Sequence, residues 1–181
     1  MPVSREKSLP VTEYGVDGRI ISQNKSYRFS CEDIEVDAFK LEKIADEWFK
    51  NGVDKTPSLE EFKSFYPGNL LDEKVYEWAE ELRAFYLRVF VNSGKLLVDK
   101  FIEKGVSASI IFQFINHLVQ MDPYNEDLRE KAIGVLYEAE GKKALIDYYL
   151  KFEALLESEI GFKPRTNLME AYKRLMNIEN G

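Results

Sequence analysis

The 181-residue chain holds one cysteine, Cys31, and one histidine, His117. A lone thiol forms no intramolecular disulfide, and with a single imidazole it cannot assemble the Cys/His set of a structural zinc site. The expected setting is reducing and cytoplasmic. No apolar run reaches the roughly 18 residues of a membrane span, and the N-terminus lacks the continuous apolar stretch of a secretory signal. Gly15, Gly18 and Gly52 stand alone, so no glycine-rich phosphate loop is formed. No nucleophile-elbow motif accompanies His117, which sits among Phe114, Leu118 and Val119 as a structural histidine would. Cys31 reads as a half-buried structural thiol. An enzyme is therefore not expected, and no catalytic, cofactor-binding or metal residue is assigned.

Basic charge is also scarce. Twenty-five Lys and Arg face thirty-two Asp and Glu, a net charge of −7. Residues 1–30 nevertheless carry +2, and residues 31–181 carry −9. A phosphate backbone is bound mainly through positive charge, so the acidic body is a poor nucleic-acid ligand. Arg19, Lys25 and Arg28 in the basic beginning are the candidates for DNA-backbone contact. A merely solvated basic turn is the alternative reading of all three.

What is abundant is core material, with 45% hydrophobic and 13% aromatic residues. Residues 1–15 read as a tail, because Pro2, Pro10 and Gly15 interrupt any period. Ile20 and Ile21, a polar turn at 22–26, then Tyr27 and Phe29 alternating with Arg28 and Ser30 read as a β-hairpin. From Asp37 the period becomes helical. Leu41, Ile44, Ala45, Trp48 and Phe49 share one face, and Asn51-Gly52 ends that helix. Ser58 with Glu61 makes a capping-box pattern for a short second helix, stopped by Pro67-Gly68.

A long third helix carries Val75, Trp78, Ala79, Leu82, Phe85, Tyr86, Val89 and Phe90, and either continues through Leu96, Leu97 and Phe101 to Gly105 or breaks at Asn92-Ser93-Gly94. The fourth, near 107–120, is apolar beyond one face, so it needs neighbours on both sides. A fifth spans about 125–139, a sixth about 142–158, and a last one starts near Thr166 or Asn167. The fold class is all-α, about seven helices preceded by a short β-hairpin. Tyr137, Tyr148, Tyr149 and Phe152 read as core in preference to a groove lining.

Gly105 and Gly141 lie 36 residues apart between successive helices. A period near 34 in helix pairs is the tetratricopeptide signature. Ile133-Gly134-Val135-Leu136-Tyr137 fits the Leu-Gly-x-x-Tyr element of a first helix, with Gly134 expected where the paired helix packs close. An ordinary antiparallel bundle is the alternative.

Several segments together resemble one family. Val36-Asp37 looks like its entry. Tyr66-Pro67-Gly68-Asn69-Leu70-Leu71, Trp78-Ala79 and Arg83 resemble its centre. Asp122-Pro123-Tyr124, Gly141, Ala144-Leu145, Tyr148, Leu155, Glu159-x-Gly161 and Pro164 resemble its C-terminal half. The family is the bacterial transcriptional activator domain of SARP-type (antibiotic regulatory) transcription factors, and the resemblance covers about residues 35–178.

It implies a tetratricopeptide-like helical domain over 35–181 that packs behind a winged helix-turn-helix. Residues 1–34 then hold a tail and the wing remnant of that upstream DNA-binding domain. The helix-turn-helix itself has no room before residue 15, so the chain reads as the C-terminal portion of a longer regulator, in some relatives a response regulator with a receiver domain. Implied partners are protein, either a second copy in a homodimer or RNA polymerase, with promoter DNA bound mainly by the upstream domain. No cofactor and no membrane are implied. The rival is a free-standing tetratricopeptide-like adaptor for peptides or proteins.

Overall fold

A computed structural model describes residues 7–11, 18–23, 26–31, 36–68 and 76–177. The chain divides into two compact units, Met1–Lys40 and Leu41–Gly181.

The first unit contains three antiparallel strands, β1 (Lys7–Val11), β2 (Gly18–Gln23) and β3 (Ser26–Cys31), in the order β1-β2-β3. β2 and β3 run in register with Ile20 opposite Phe29 and Ser22 opposite Tyr27. β1 corrects the reading of residues 1–15 as a tail. Its Pro10 pairs with Arg19. A proline is tolerated on an edge strand, where the missing N–H need not remove a ladder bond, so Pro10 was a poor reason to exclude a strand.

Seven α-helices are found among the described residues: α1 (Asp37–Asn51), α2 (Leu59–Ser64), α3 (Glu80–Glu103), α4 (Ala108–Met121), α5 (Glu126–Glu140), α6 (Lys142–Glu159) and α7 (Thr166–Asn177). Local chemistry sets their ends. Ser58 Oγ accepts the Glu61 N–H at 3.1 Å, and Asn125 Oδ1 accepts the Leu128 N–H at 3.2 Å, each satisfying an orphan donor of a first turn. Gly105 and Gly141, at φ +67° and +81°, close the α3–α4 and α5–α6 turns in left-handed geometry that favours glycine.

α4 packs on both α3 and α5, as its wide apolar surface requires, and α5 packs also on α6 and α7. The first core region is aromatic. Phe62 of α2 stacks on Phe90 of α3 at 4.5 Å between centroids and lies near Trp48, Phe65 and Phe114. A second cluster joins Ile133, Leu145, Tyr149, Phe152, Leu156 and Leu168, with Tyr137 and Tyr148 packed against it. Tyr172 of α7 stacks on Tyr149 at 3.9 Å.

Two expectations for the long helix are corrected, and one open choice is decided. It begins at Glu80 behind a 3-10 turn, Glu77–Ala79; Val75 lies outside the described residues. Of the two readings at Asn92-Ser93-Gly94, the structure has the continuation: α3 runs unbroken to Glu103. Ser93 Oγ donates to the Val89 carbonyl at 2.8 Å, which removes the polar reason for a break. Trp78 is 64% exposed rather than core, and Leu82 and Phe85 are 41% and 40% exposed. The buried side is instead Ala79, Tyr86, Phe90, Leu97 and Phe101. Both rows are apolar at helical spacing, and periodicity alone does not say which one meets a neighbour. Phe49 of α1 departs in the same way at 55% exposure, while Leu41 and Ala45 are buried.

Trp78→Ala accordingly leaves the stability of the monomer within about 0.5 kcal/mol, as for a surface substitution. Denaturant unfolding of dilute protein checks this. A loss near the 3–5 kcal/mol of a core aromatic would contradict the exposed placement.

Candidate functional site

Three surfaces of the helical unit bring chemistry together. The first is the apolar row Trp78, Leu82 and Phe85, with half-buried Val89 continuing it at the next turn. Tyr76 leans on Trp78 at 5.7 Å between ring centroids, and Phe85 meets Tyr86 edge-on at 5.2 Å. The Tyr86 hydroxyl donates to Glu42 of α1 at 2.9 Å, which ties the buried side of α3 to α1 and leaves the apolar row unpaired. Burial first, then the Glu42 carboxylate, holds the Tyr86 hydroxyl above its ordinary pKa.

The second surface is a charge ladder between α3 and α5. Lys95 meets Asp127 at 3.1 Å, and one turn on Lys131 meets Asp99. The Arg165 guanidinium, from the α6–α7 connection, reaches Asp127 at 2.6 Å, and its backbone N–H donates to Glu126 at 2.6 Å. Hydrogen bonds from Arg165, then Lys95, hold the Asp127 carboxyl below its ordinary value. The sign follows. The stabilisation is present above the ordinary carboxylate range and is lost as pH falls through the lowered folded value. These pairs are partly exposed, so each contributes no more than about 1 kcal/mol.

The third is a shallow cavity of about 550 Å³ lined by residues including Glu60, Lys63, Tyr66, His117 and Met121. His117 Nε2 is buried with no hydrogen-bond partner, and the ring stands edge-on to Phe90 at 6.0 Å. Burial, then the Lys63 ammonium, lowers the imidazole pKa, against a smaller opposing pull from Glu60. The folded state therefore resists the proton that the unfolded chain takes up near the ordinary imidazole pKa of about 6.5. Stability falls as pH drops through that range. His117→Gln should flatten the decline in melting temperature between about pH 7 and pH 5. An unchanged slope would show that the decline belongs to other groups.

A half-buried guanidinium packs between α5 and α6. Arg129 of α5 covers the rings of Tyr148 and Phe152 of α6 at 5.1 and 4.6 Å, and donates to the Pro123 carbonyl at 3.1 Å. It is a packing element, with the cation facing two aromatic faces.

The residues expected to touch DNA lie apart from these surfaces in sequence. Arg19 is on β2 opposite Ser30, and Arg28 is on β3 opposite Ile21, two rungs away on the same ladder. Lys25 lies outside the described residues. Gly134 also departs from expectation. It is exposed, and no atom lies within 4 Å of where its Cβ would be, so no paired helix presses there. The close approach is at Gly94, where Leu118 and Phe62 crowd the backbone. Among the described residues no group of three or more His, Cys, Asp or Glu is arranged to hold a metal ion, and no helix is long and apolar enough to cross a membrane.

The model of one protein family, the bacterial transcriptional activator domain, matches residues 55–176. The chain belongs to that family. The matched segment runs from just before α2 almost to the end of α7, so the bacterial transcriptional activator domain comprises all three surfaces described above. It begins later than the resemblance read from residue 35, leaving α1 and the strands outside. The bacterial transcriptional activator domain is a regulatory family associated with transcriptional activation and is not an enzyme family. A search of the curated proteins gave no match.

The sequence carried the family signal in Tyr66-Pro67-Gly68, Trp78-Ala79 and Asp122-Pro123-Tyr124. It did not reveal the Arg165 anchor or the exposed aromatic row. The only prior sign of the anchor was a cation placed between Pro164 and the α7 start, facing the two acids that open α5.

Proposed function

We propose that the chain is the C-terminal regulatory and protein-interaction module of a SARP-type transcriptional regulator. The helices stack as tetratricopeptide-like hairpins, α3 with α4 and α5 with α6, and α7 closes the array. The module associates with itself or touches RNA polymerase, and it works in the cytoplasm. Promoter DNA is held mainly by a winged helix-turn-helix upstream, of which β1–β3 are the last strands. Arg19, Lys25 and Arg28 would steady that domain on the phosphate backbone without reading bases.

The single observation that carries this reading is the family match over residues 55–176. Supporting it are the left-handed glycines Gly105 and Gly141 at the hairpin turns and the −9 charge of residues 31–181, which favours protein partners over nucleic acid.

Tethering is the direct test. The full chain is fused to a heterologous DNA-binding domain, and transcription is measured from a promoter bearing that domain's operator. Activation above the level given by the DNA-binding domain alone is expected. A well-expressed, folded fusion that occupies the operator and leaves transcription unchanged would overturn the activator role.

A further inference from the structure

We infer that the chain forms a two-fold symmetric dimer through the exposed apolar row that runs from the 3-10 turn at Trp78 along the first turns of α3, with the two α3 helices antiparallel. Trp78, Leu82, Phe85 and Val89 recur at spacings of four, three and four. That is the seam of a two-helix coiled contact. Trp78, Leu82 and Phe85 are exposed at 64%, 41% and 40%, and Val89 is half-buried.

The occupant follows from charge. Glu81 and Arg88 lie one heptad apart, both on the same flank of the seam, and both are exposed. Among the described residues neither has an ion-pair partner within the chain, in contrast to Arg83, which pairs with Glu80. In an antiparallel arrangement, residues on this flank meet across the two-fold axis. Leu82 then layers against Phe85 of the second copy, Trp78 against its Val89, and Glu81 against its Arg88. Symmetry makes each contact twice, as an isologous interface requires. A parallel pairing would instead set Glu81 against the second copy's Tyr86, which is buried in its own core, and would leave both charges unmatched. A basic partner protein would satisfy Glu81 and repel Arg88, whereas a second copy satisfies both. The seam is short, so the dimer is weak and dissociates in the micromolar range.

The test uses the full chain and sedimentation equilibrium, with circular dichroism as the check on folding. Wild type should show a concentration-dependent monomer–dimer equilibrium. Leu82→Asp buries a carboxylate in the seam and should raise the dissociation constant by at least about tenfold. Glu81→Arg and Arg88→Glu each create two like-charge meetings and should weaken the dimer. The double variant E81R/R88E restores complementarity and should recover most of the wild-type affinity.

Monomer at every concentration up to about 100 μM would overturn the dimer. So would a dimer indifferent to Leu82→Asp, or single charge swaps whose effects simply add in the double variant. None of these outcomes touches the family assignment or the tethered-activation result, so the two readings fail separately.

Discussion

Phe62→Ala should lower the stability of the helical unit by about 3–5 kcal/mol, the range for truncating a buried aromatic. Phe62 is fully buried and meets rings from three other helices at once. It stacks on Phe90 of α3 at 4.5 Å, approaches Phe114 of α4 at 6.0 Å and lies parallel to Trp48 of α1 at 6.5 Å. α2 is only six residues long, too short to hold a helical conformation by itself. The cavity left at position 62 therefore also frees α2 from the surface it covers. Because Trp48 loses its stacking neighbour, unfolding can be followed by tryptophan fluorescence as well as by circular dichroism. The two signals should move together to a lower midpoint, by about 2–4 °C for each kcal/mol in a chain of this size. A midpoint within a degree of wild type would mean that the aromatic centre is not a packed core.

The second large effect is at Gly94. A Cβ there would stand 2.5 and 2.7 Å from the two methyl carbons of Leu118 and 3.0 Å from Phe62 Cζ. Leu118 is itself fully buried, so it has little room to turn away. Gly94→Val meets this crowding with three carbons, at an overpacking cost of about 1–3 kcal/mol. The helix-propensity gain over glycine, under about 1 kcal/mol for a β-branched residue, does not offset that cost. Gly134 supplies the opposite case. It is also inside a helix, yet its Cβ position is empty, so Gly134→Ala should stabilise by about 0.5–1 kcal/mol. Opposite signs for the two substitutions, read as denaturant midpoints, are the expected outcome. A stabilised Gly94→Val would show that α3 and α4 are not in close contact there.

This pair of glycines marks where reading the chain reaches its limit. Helix positions were legible because punctuation is local: Asn51-Gly52, Pro67-Gly68, Gly105 and Gly141 each end or join an element within their own turn. The family was legible for the same reason, since Tyr66-Pro67-Gly68 and Asp122-Pro123-Tyr124 are contiguous. Which face of α3 is covered was not, because Ala79, Tyr86 and Phe90 alternate with Trp78, Leu82 and Phe85 in one apolar band. The choice between them is made by Glu42 and Phe62, which are distant in sequence. Gly134 carried the repeat-like pattern, whereas Gly94, whose sequence leaves a break or a continuous helix open, is where the helices touch. β1 was hidden by Pro10, whose cost depends on whether the strand is at an edge. The candidate surfaces depend on partners across elements, such as Asp127 with Arg165, and no spacing rule brings those together.

The Arg165 anchor bears on how the end of the array comes loose. α7 rests on α5 and α6 through Leu168 and the Tyr149–Tyr172 stack, and its leading edge is fastened by polar bonds to Glu126 and Asp127. Salt screens those bonds and leaves the apolar contacts intact. Rising ionic strength should therefore quicken deuterium uptake at the α7 amides well before it does so in α3 or α4, making the terminal helix a separately detachable lid on an otherwise settled stack.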